Sequence, residues 1–224
     1  MIDVHTHLLP NFDDGVRSVE EAERLINIIK AQGVSDVVLS SHFYTDRETC
    51  ETFCTRYDKA YSDFVDKLGI KPLRGAEISV GVDFFRLSPD ERLLIESTQY
   101  LLIELPFCDK LPDWVYYGIG RELTYGYIPI IAHVEKYPYF CVKVAERLKN
   151  AGALLQVNAS SLTDMFYSRA IKLFKKNYVD FVASDTHNED KRPPKFDSAF
   201  NILEKKFGLN YVEKLKNDMT ELME

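Results

Sequence analysis

Short apolar runs rich in β-branched residues alternate along the chain with longer amphipathic stretches. Each run has the length of a strand and is apolar at nearly every position, which is typical of parallel strands buried on both faces. The seven runs are IDVH (2–5), DVVLS (36–40), KPLRGAE (71–77), YLLIE (100–104), IPIIAH (128–133), LLQVN (154–158) and DFVAS (180–184).

Helical patterns fill the intervals between these runs. The stretch SVEEAERLINIIKAQG opens with a capping box, Ser18 and Glu21, and ends at Gly33. The alternation of strand and helix predicts an α/β fold with a parallel sheet and crossover helices. No low-complexity linker or shift in composition divides the 224 residues, so we expect a single domain over 1–224.

The charge balance excludes several classes of partner. The chain has 28 Lys and Arg against 35 Asp and Glu, a net charge of −7, and no basic cluster. We therefore expect no nucleic-acid binding. No apolar run approaches the roughly 18 residues of a membrane span, so we expect no membrane insertion. Because the N-terminus also lacks the pattern of a signal peptide, we expect a cytoplasmic protein.

The four cysteines, Cys50, Cys54, Cys108 and Cys141, form no C-x-x-C pair. Two segments, CETFCTR and CVKVAER, have the C-x5-R spacing of cysteine-dependent phosphatases. That chemistry needs a loop whose backbone N–H groups curl around a phosphate, and such loops favour glycine. Neither segment contains glycine and both read as helix, so we expect no cysteine nucleophile.

All five histidines lie at, or just after, the predicted C-terminal end of a strand. In the opening MIDVHTH the period of two places both imidazoles on one face. Acidic residues repeat the pattern, with Glu77 expected to end the third strand and Glu104 the fourth. The complete set is His5, His7, Asp14, His42, Glu77, Glu104, His133, Asp185 and His187.

The C-terminal strand ends of a parallel α/β barrel converge on one face, so we expect these nine side chains to lie close together. Imidazole and carboxylate without thiolate suit Mn, Fe or Zn. Ordinary polar residues at strand ends would explain any one of the nine, but not all of them together. The sequence therefore predicts a metal centre.

Several ordered motifs resemble those of the polymerase and histidinol phosphatase (PHP) superfamily. More closely, they resemble the bacterial manganese-dependent protein tyrosine phosphatases of capsule and exopolysaccharide gene clusters. The resemblance implies a distorted (β/α)7 TIM-like barrel, the PHP fold, and hydrolysis of phosphotyrosine on a protein tail, such as that of a tyrosine autokinase of polysaccharide synthesis. The motifs run from residue 1 to about residue 195 and are MIDVHTHLLPNFDDG, SSHF, GAEI, LLIELP, IIAHVEKY, QVN and ASDTHN followed by RPP.

The same resemblance implies three divalent metal ions, with Mn favoured and Fe or Zn as alternatives. A hydroxide bridging two of them would attack phosphorus in line, with His42 or a metal-bound water as the general acid. The implied ligands are His5, His7, Glu77 and Asp185 for the first ion, Glu77, Glu104 and His133 for the second, and Asp14, His42 and His187 for the third.

Two basic residues are implied at the phosphate. Arg192 matches one of the family's two arginines, whereas Lys136, in HVEK, occupies the position of the other. Lysine keeps the charge but lacks the bidentate fork of arginine. The alternative for Lys136 is a solvated loop lysine.

Aromatic residues after the fourth and fifth strands predict a rim that could flank a phosphotyrosine ring, with ordinary loop packing as the alternative. Competing functions on the same scaffold are a phosphatase of small molecules such as histidinol phosphate, a phosphodiesterase, and a metal-binding regulatory module without catalysis. The aromatic residues are Phe107, Trp114, Tyr137, Tyr139 and Phe140.

Overall fold

The computed structural model describes residues 1–68, 71–81, 83–86 and 90–223. Within these residues the strands are β1 (Ile2–Thr6), β2 (Asp36–Leu39), β3 (His42–Tyr44), β4 (Leu73–Arg74), β5 (Glu77–Ser79), β6 (Tyr100–Glu104), β7 (Ile128–Ile131), β8 (Leu154–Asn158) and β9 (Phe181–Ala183). The α-helices are α1 (Val19–Ala31), α2 (Cys50–Leu68), α3 (Asp113–Thr124), α4 (Val142–Asn150), α5 (Tyr167–Phe174), α6 (Phe196–Phe207) and α7 (Leu209–Glu221).

The strands form two parallel sheets, with the orders β1-β2-β4 and β3-β5-β6-β7-β8-β9. The prediction of an α/β fold with parallel strands is confirmed. In β6 the side chains of Leu101, Leu102 and Ile103 are all fully buried, although they point alternately to the two faces of the sheet. Burial on both faces explains why these runs are apolar without alternation.

The third predicted strand is wrong in its bounds. Residues 71–77 do not form one strand; β4 ends at Arg74 and β5 begins at Glu77, so Glu77 starts a strand instead of ending one. Between them the chain passes so close to Val38 that a Cβ on Gly75 would lie 2.6 Å from Val38 Cγ1. Only glycine fits this approach.

The neighbouring strand breaks at the same level, which the sequence did not indicate. The second predicted run stops at Leu39, and the chain resumes as β3 at His42. The register is unchanged across both breaks, because paired residues are 35 positions apart on either side, as in Val38 with Leu73 and His42 with Glu77. The four short strands therefore continue as two long, interrupted paths through the sheets.

Hydrogen bonds join β1 to the chain around the end of β9. The Asp185 N–H donates to the His5 carbonyl at 2.9 Å, and the His7 N–H donates to the Thr186 carbonyl at 3.0 Å. Two residues before His5 in β1, the Asp3 carboxylate accepts the Ser184 N–H at Oδ1, at 3.0 Å. The first and last strands are thus linked directly and through a buried carboxylate.

The predicted capping of α1 is present with one difference. The Ser18 hydroxyl accepts the Glu21 N–H at 3.2 Å, but the Glu21 carboxylate accepts the Arg17 N–H instead of reaching the backbone of Ser18. The helix ends at Ala31, and Gly33 follows with φ +86°, a left-handed conformation that glycine adopts without strain. Among the described residues, no helix has both the length and the apolar composition needed to cross a membrane.

The Asp3 carboxyl gives a test of the link between the first and last strands. Burial raises the pKa of Asp3 from 3.8 to about 6, and Oδ2 has no hydrogen-bond partner in the described part of the chain. The folded state therefore holds this proton more tightly than the unfolded state does, so the stability from this group is lost as pH rises through about 6. Asparagine keeps an acceptor for Ser184 and does not titrate.

We expect Asp3→Asn to gain stability over the wild type as pH rises from about 4 to about 6, by about 3 kcal/mol in total, and the difference to level off above that range. Urea unfolding of metal-free protein at several pH values measures this difference. Asp36→Asn, at an exposed position at the start of β2, is the control. Parallel pH profiles of Asp3→Asn and the wild type would contradict the prediction.

Candidate metal centre

A cavity of about 270 Å³ opens where several strands end. Three of the predicted site residues, His5, His7 and His187, lie just below it and are almost fully buried. The other six line it directly, so the structure brings all nine together. The lining residues are Asp14, His42, Tyr44, Glu77, Glu104, Phe107, His133, Lys136, Asp185 and Arg192.

Four of these side chains converge around one point. His5 Nε2 and His7 Nε2 are 3.1 Å apart. Each of these nitrogens lies 3.2 Å from Glu77 Oε2 and 3.6 Å from Asp185 Oδ1. Ligand atoms of a tetrahedral site with bonds of 2.0–2.2 Å are separated by about 3.3–3.6 Å, so this spacing suits a metal ion.

Two further groups adjoin the first. His133 Nε2 lies 3.1 Å from Glu77 Oε1 and 3.6 Å from Glu104 Oε1. On the other side, Asp14 Oδ1 lies 3.6 Å from His42 Nε2 and 3.3 Å from His187 Nε2. The two oxygens of Glu77 thus face different groups, as expected of a carboxylate shared between ions.

The tautomer of His5 is fixed by a residue that the sequence analysis did not single out. The Gln156 Oε1 atom accepts the His133 N–H at 2.8 Å, which identifies it as the oxygen. His5 Nδ1 lies 3.1 Å from the same oxygen and must donate to it. The lone pair of His5 is therefore on Nε2 and points into the cluster.

Asp13 does the same for His7, although the sequence alone does not distinguish it from its neighbour Asp14. Asp13 Oδ2 lies 2.9 Å from His7 Nδ1 and accepts the His42 N–H at 3.0 Å. Burial alone would raise the pKa of Asp13, but His7 and the backbone N–H groups of Gly15 and His42 hold it well below its usual range. The ionised carboxylate accepts a hydrogen bond from His7 Nδ1–H, which leaves the lone pair on Nε2.

The donor chemistry of the cluster fits a metal. With Nδ1 of both rings donating elsewhere, the Nε2 lone pairs of His5 and His7 face each other at 3.1 Å and repel unless a cation lies between them. Burial lowers the pKa of His7, but Asp13 and Glu77 outweigh it and raise that pKa well above its ordinary value. Either an added proton or a metal ion satisfies this requirement, and the two compete.

The remaining pKa shifts follow from burial and neighbouring charge. Burial lowers the pKa of His42 to about 4, so this imidazole is neutral at pH 7. A hydrogen bond from His187 lowers the pKa of Asp14 to about 2. For Glu104, burial and the nearby Glu77 carboxylate raise the pKa. Neutral imidazoles and ionised carboxylates are the protonation states that bind metal.

Two of the predicted ligands have left-handed backbones. His133 has φ +32° and Asp185 has φ +52°, a region that residues with a side chain seldom occupy. Each stands just after the end of a strand, where the turn directs its side chain into the cavity. Such strain is common at functional sites.

The two basic residues flank one buried carboxylate. Lys136 Nζ lies 3.2 Å from Asp185 Oδ2, and an Arg192 guanidinium nitrogen lies 2.6 Å from Asp185 Oδ1. Both side chains also line the cavity. Lys136 is thus an ion-paired residue of the cavity wall, which disagrees with the alternative of a solvated loop lysine.

The predicted aromatic rim is mostly absent from the cavity. Only Phe107 lines it, while Tyr137 is fully buried and Trp114 packs on Phe85 with ring centroids 5.8 Å apart. Tyr139 stacks on Tyr137 at 5.3 Å. Ordinary loop packing therefore explains these residues, apart from Phe107.

None of the four cysteines lines the cavity, although Cys108 directly follows Phe107. Cys50 and Cys54 share one face of α2, with Sγ atoms 3.7 Å apart, near the Asp90 carboxylate. Burial raises the pKa of both thiols. Helix α2 starts at Cys50, and Cys141 precedes α4, so neither begins a phosphate-binding loop.

Comparison with known proteins identifies relatives along the whole chain. Residues 1–223 match the family model for capsular polysaccharide synthesis, CpsB/CapC. The tyrosine-protein phosphatase CpsB of Streptococcus pneumoniae is 30% identical, over 96% of this chain and 94% of that protein. The putative tyrosine-protein phosphatase CapC of Staphylococcus aureus is also 30% identical, over 90% of this chain and 82% of its own length.

A solved structure is similar along nearly the whole chain. It comes from a study of YwqE from Bacillus subtilis and CpsB from S. pneumoniae, which are described there as metal-dependent tyrosine phosphatases. The TM-score is 0.83 at 26% identity, covering 99% of this chain and 94% of the other. The family match and this similarity agree, and the chain belongs to the CpsB/CapC family of capsular polysaccharide synthesis.

Proposed function

We propose that this protein is a metal-dependent protein tyrosine phosphatase. The observation that carries the proposal is the cavity itself, with nine nitrogen- and oxygen-bearing side chains at its base and two basic side chains at its edge. Relatives that cover nearly the whole chain are tyrosine phosphatases, which supports the same reaction here.

The proposed architecture is a distorted (β/α)7 barrel. The unchanged register across the two strand breaks supports seven long strand paths. The hydrogen bonds from Asp185 and His7 across to the opposite strand support contact between the first path and the last. In such a barrel the strand ends meet at one face, which is where the cavity lies.

The nine side chains would hold up to three divalent ions, Mn²⁺ foremost, with Fe or Zn as alternatives. Bound ions would attract the phosphate and lower the pKa of a coordinated water toward about 7. The proposed ligands are His5, His7, Glu77 and Asp185 for the first ion, Glu77, Glu104 and His133 for the second, and Asp14, His42 and His187 for the third.

The protein's own groups would orient the phosphate. Lys136 and Arg192 lie at the edge of the cavity and can each exchange part of their contact with Asp185 for a phosphate oxygen. His42 is poorly suited to act as the general acid, because burial lowers its pKa to about 4 and leaves it without a proton to give at pH 7. A ligand role suits His42 better.

The substrate we propose is a phosphotyrosine-bearing protein tail, such as that of a tyrosine kinase of polysaccharide synthesis. A tyrosine phenol has a pKa of about 10, so it departs more easily than an alkoxide. This reduces the need for a strong general acid. The cytoplasm as the place of action remains a prediction.

The proposal is tested by measuring metal content and turnover on one sample. Chelation should abolish hydrolysis of a phosphotyrosine peptide, and Mn²⁺ should restore it better than Mg²⁺, because imidazole ligands disfavour magnesium. Elemental analysis follows the metal, while histidinol phosphate and a phosphodiester are assayed in parallel.

The three substrates separate the alternatives. Preference for histidinol phosphate or for the diester would assign the same site to a small-molecule phosphatase or a phosphodiesterase. Metal binding without turnover of any substrate would indicate a regulatory module. Full activity in metal-stripped protein would rule out the proposed mechanism.

A second prediction concerns the orientation of His7. Asp13→Asn leaves one side-chain oxygen to serve three donors, so the proton on His7 Nδ1 loses its ionised acceptor. We expect metal affinity to fall by about 10- to 100-fold. Competition with a metal-binding dye measures this affinity without reference to activity. Asp36→Asn is again the control, and equal affinities would show that Asp13 does not orient the ligand.

A third prediction concerns Lys136. Lys136→Ala should lower kcat/KM by about 10- to 150-fold and weaken inhibition by free phosphate, because a charged hydrogen bond to the phosphate is lost. Lys136→Arg should keep or raise activity, since the guanidinium group of arginine can donate hydrogen bonds to two phosphate oxygens at once. Lys136→Met keeps the chain length without the charge and should behave like Lys136→Ala.

Metal content separates the two possible roles of Lys136. If it binds phosphate, the inhibition constant of phosphate rises in Lys136→Ala while metal content stays normal. If it only holds Asp185 in place, metal content falls and phosphate inhibition of the loaded protein is unchanged. The second result would leave Arg192 as the sole basic partner that we propose for the phosphate.

A further inference from the structure

Phe107 is an exposed apolar side chain in a cavity that is otherwise lined mainly by polar and charged residues. It lines the cavity beside Glu104 and His133, yet 57% of its surface remains exposed. The other lining residues are charged or polar, apart from the ring of Tyr44. An apolar ring left in water at the mouth of a charged site lacks the contacts that would favour phenylalanine there.

The ring is backed by fixed structure. Its centroid is 4.9 Å from that of Tyr137, which is fully buried. The Tyr137 hydroxyl accepts the Leu105 N–H at 2.8 Å, and this bond ties Tyr137 to the segment that carries Phe107. Tyr139 stacks behind Tyr137 with the ring planes 8° apart. Phe107 is therefore supported on one side and open on the other.

Tyr44 is a second aromatic residue of the cavity lining that is held in place. Tyr44 stacks on His42 with centroids 4.9 Å apart, and the Arg47 guanidinium lies 4.0 Å from the Tyr44 ring centre. Tyr44 pairs with Ser79, and Ser79 pairs with Glu104, so Tyr44 and Glu104 stand in one row across β3, β5 and β6. The backbones of Tyr44 and Glu104 are two strand spacings apart, which is about 10 Å.

Phe107 has an open face toward the cavity, and a ligand ring stacked on it would lie about 3.5–4 Å away. We propose that Phe107 is a specificity-determining residue that stacks on the ring of an aryl phosphate while its phosphoryl group lies over the metal ligands. This proposal rests on the phosphatase function proposed above and adds the reason for a preference for aryl over alkyl esters.

The charge distribution around the cavity gives the ligand its direction. Lys136 and Arg192 both contact Asp185, which follows β9, whereas Phe107 follows β6. Strands β7 and β8 lie between β6 and β9 in the sheet. An anionic group drawn to the basic pair would thus leave the rest of the ligand on the Phe107 side. An alkyl phosphate would occupy the basic side and leave Phe107 uncovered.

The test is binding of two phosphonates, which cannot be hydrolysed, so leaving-group chemistry does not enter. Calorimetry on the metal-loaded protein compares phenylphosphonate with methylphosphonate. Phe107→Ala should lower the affinity for phenylphosphonate by about 5- to 20-fold. The affinity for methylphosphonate should fall by less than about twofold, because only phenylphosphonate has a ring to stack on Phe107. Phe107→Tyr should retain the preference and Phe107→Leu should lose most of it.

A matched control is Tyr117→Ala, since Tyr117 is an aromatic residue on α3 that is 80% exposed and does not line the cavity. It should change neither affinity. If Phe107→Ala lowers the affinity for both phosphonates equally, or for neither, the role of Phe107 is overturned and the proposed phosphatase function is unaffected. A loaded wild-type protein that binds neither phosphonate would overturn both proposals.

Discussion

The buried carboxylate of Glu77 is the group on which the rest of the site depends. One of its oxygens lies within 3.0–3.2 Å of ring nitrogens of His5, His7 and His42, and the other lies 3.1 Å from His133. The side chain is only 1% exposed, and none of the described lysines or arginines pairs with it. A buried charge without a compensating cation is strongly unfavourable. The folded arrangement is therefore stable only with protons or metal ions among these nitrogens, and metal loading must be coupled to folding.

Two side-chain amides connect opposite sides of the cluster by a continuous chain of hydrogen bonds. Gln156 contacts His5 and the backbone of His133, and its amide donates to Asn158 Oδ1 at 2.7 Å. Asn158 in turn donates to Asp185 Oδ2 at 2.5 Å. Each amide has one possible orientation in this chain, because the His133 N–H fixes the first oxygen. Side chains from opposite ends of the sequence are thus held in place by residues outside the proposed ligand set.

The sequence predicted which side chains come together better than it predicted the local backbone. Histidine is rare in this chain, and each histidine stands at or shortly after the end of an apolar run, although His5 lies within β1 and His42 begins β3. Gln156 is a single polar residue in a predicted strand, and the sequence does not show what its amide contacts. Its role depends on His5, which is 151 positions away in the chain. The strand breaks before His42 and Glu77 lie next to a close approach of Gly75 to Val38, a contact between segments distant in the sequence that no local pattern shows. Interactions between distant segments decide these features, and single-sequence reasoning has no access to them.

Exposure differs widely across the cavity. The imidazoles of His5 and His7 are fully buried, whereas the side chains of Lys136, Arg192 and Asp14 are 22%, 39% and 58% exposed. Phe107 is 57% exposed. His5 and His7, which would hold metal, are fixed by hydrogen bonds to the buried side chains of Gln156 and Asp13, whereas the groups that would touch substrate are anchored on one side only. Substitutions of Phe107 can therefore alter which phosphate ester is preferred without disturbing the hydrogen bonds that orient His5 and His7. Substitutions of the basic pair reach the site itself, because Lys136 contacts Asp185 and Arg192 contacts both Asp185 and Asp14.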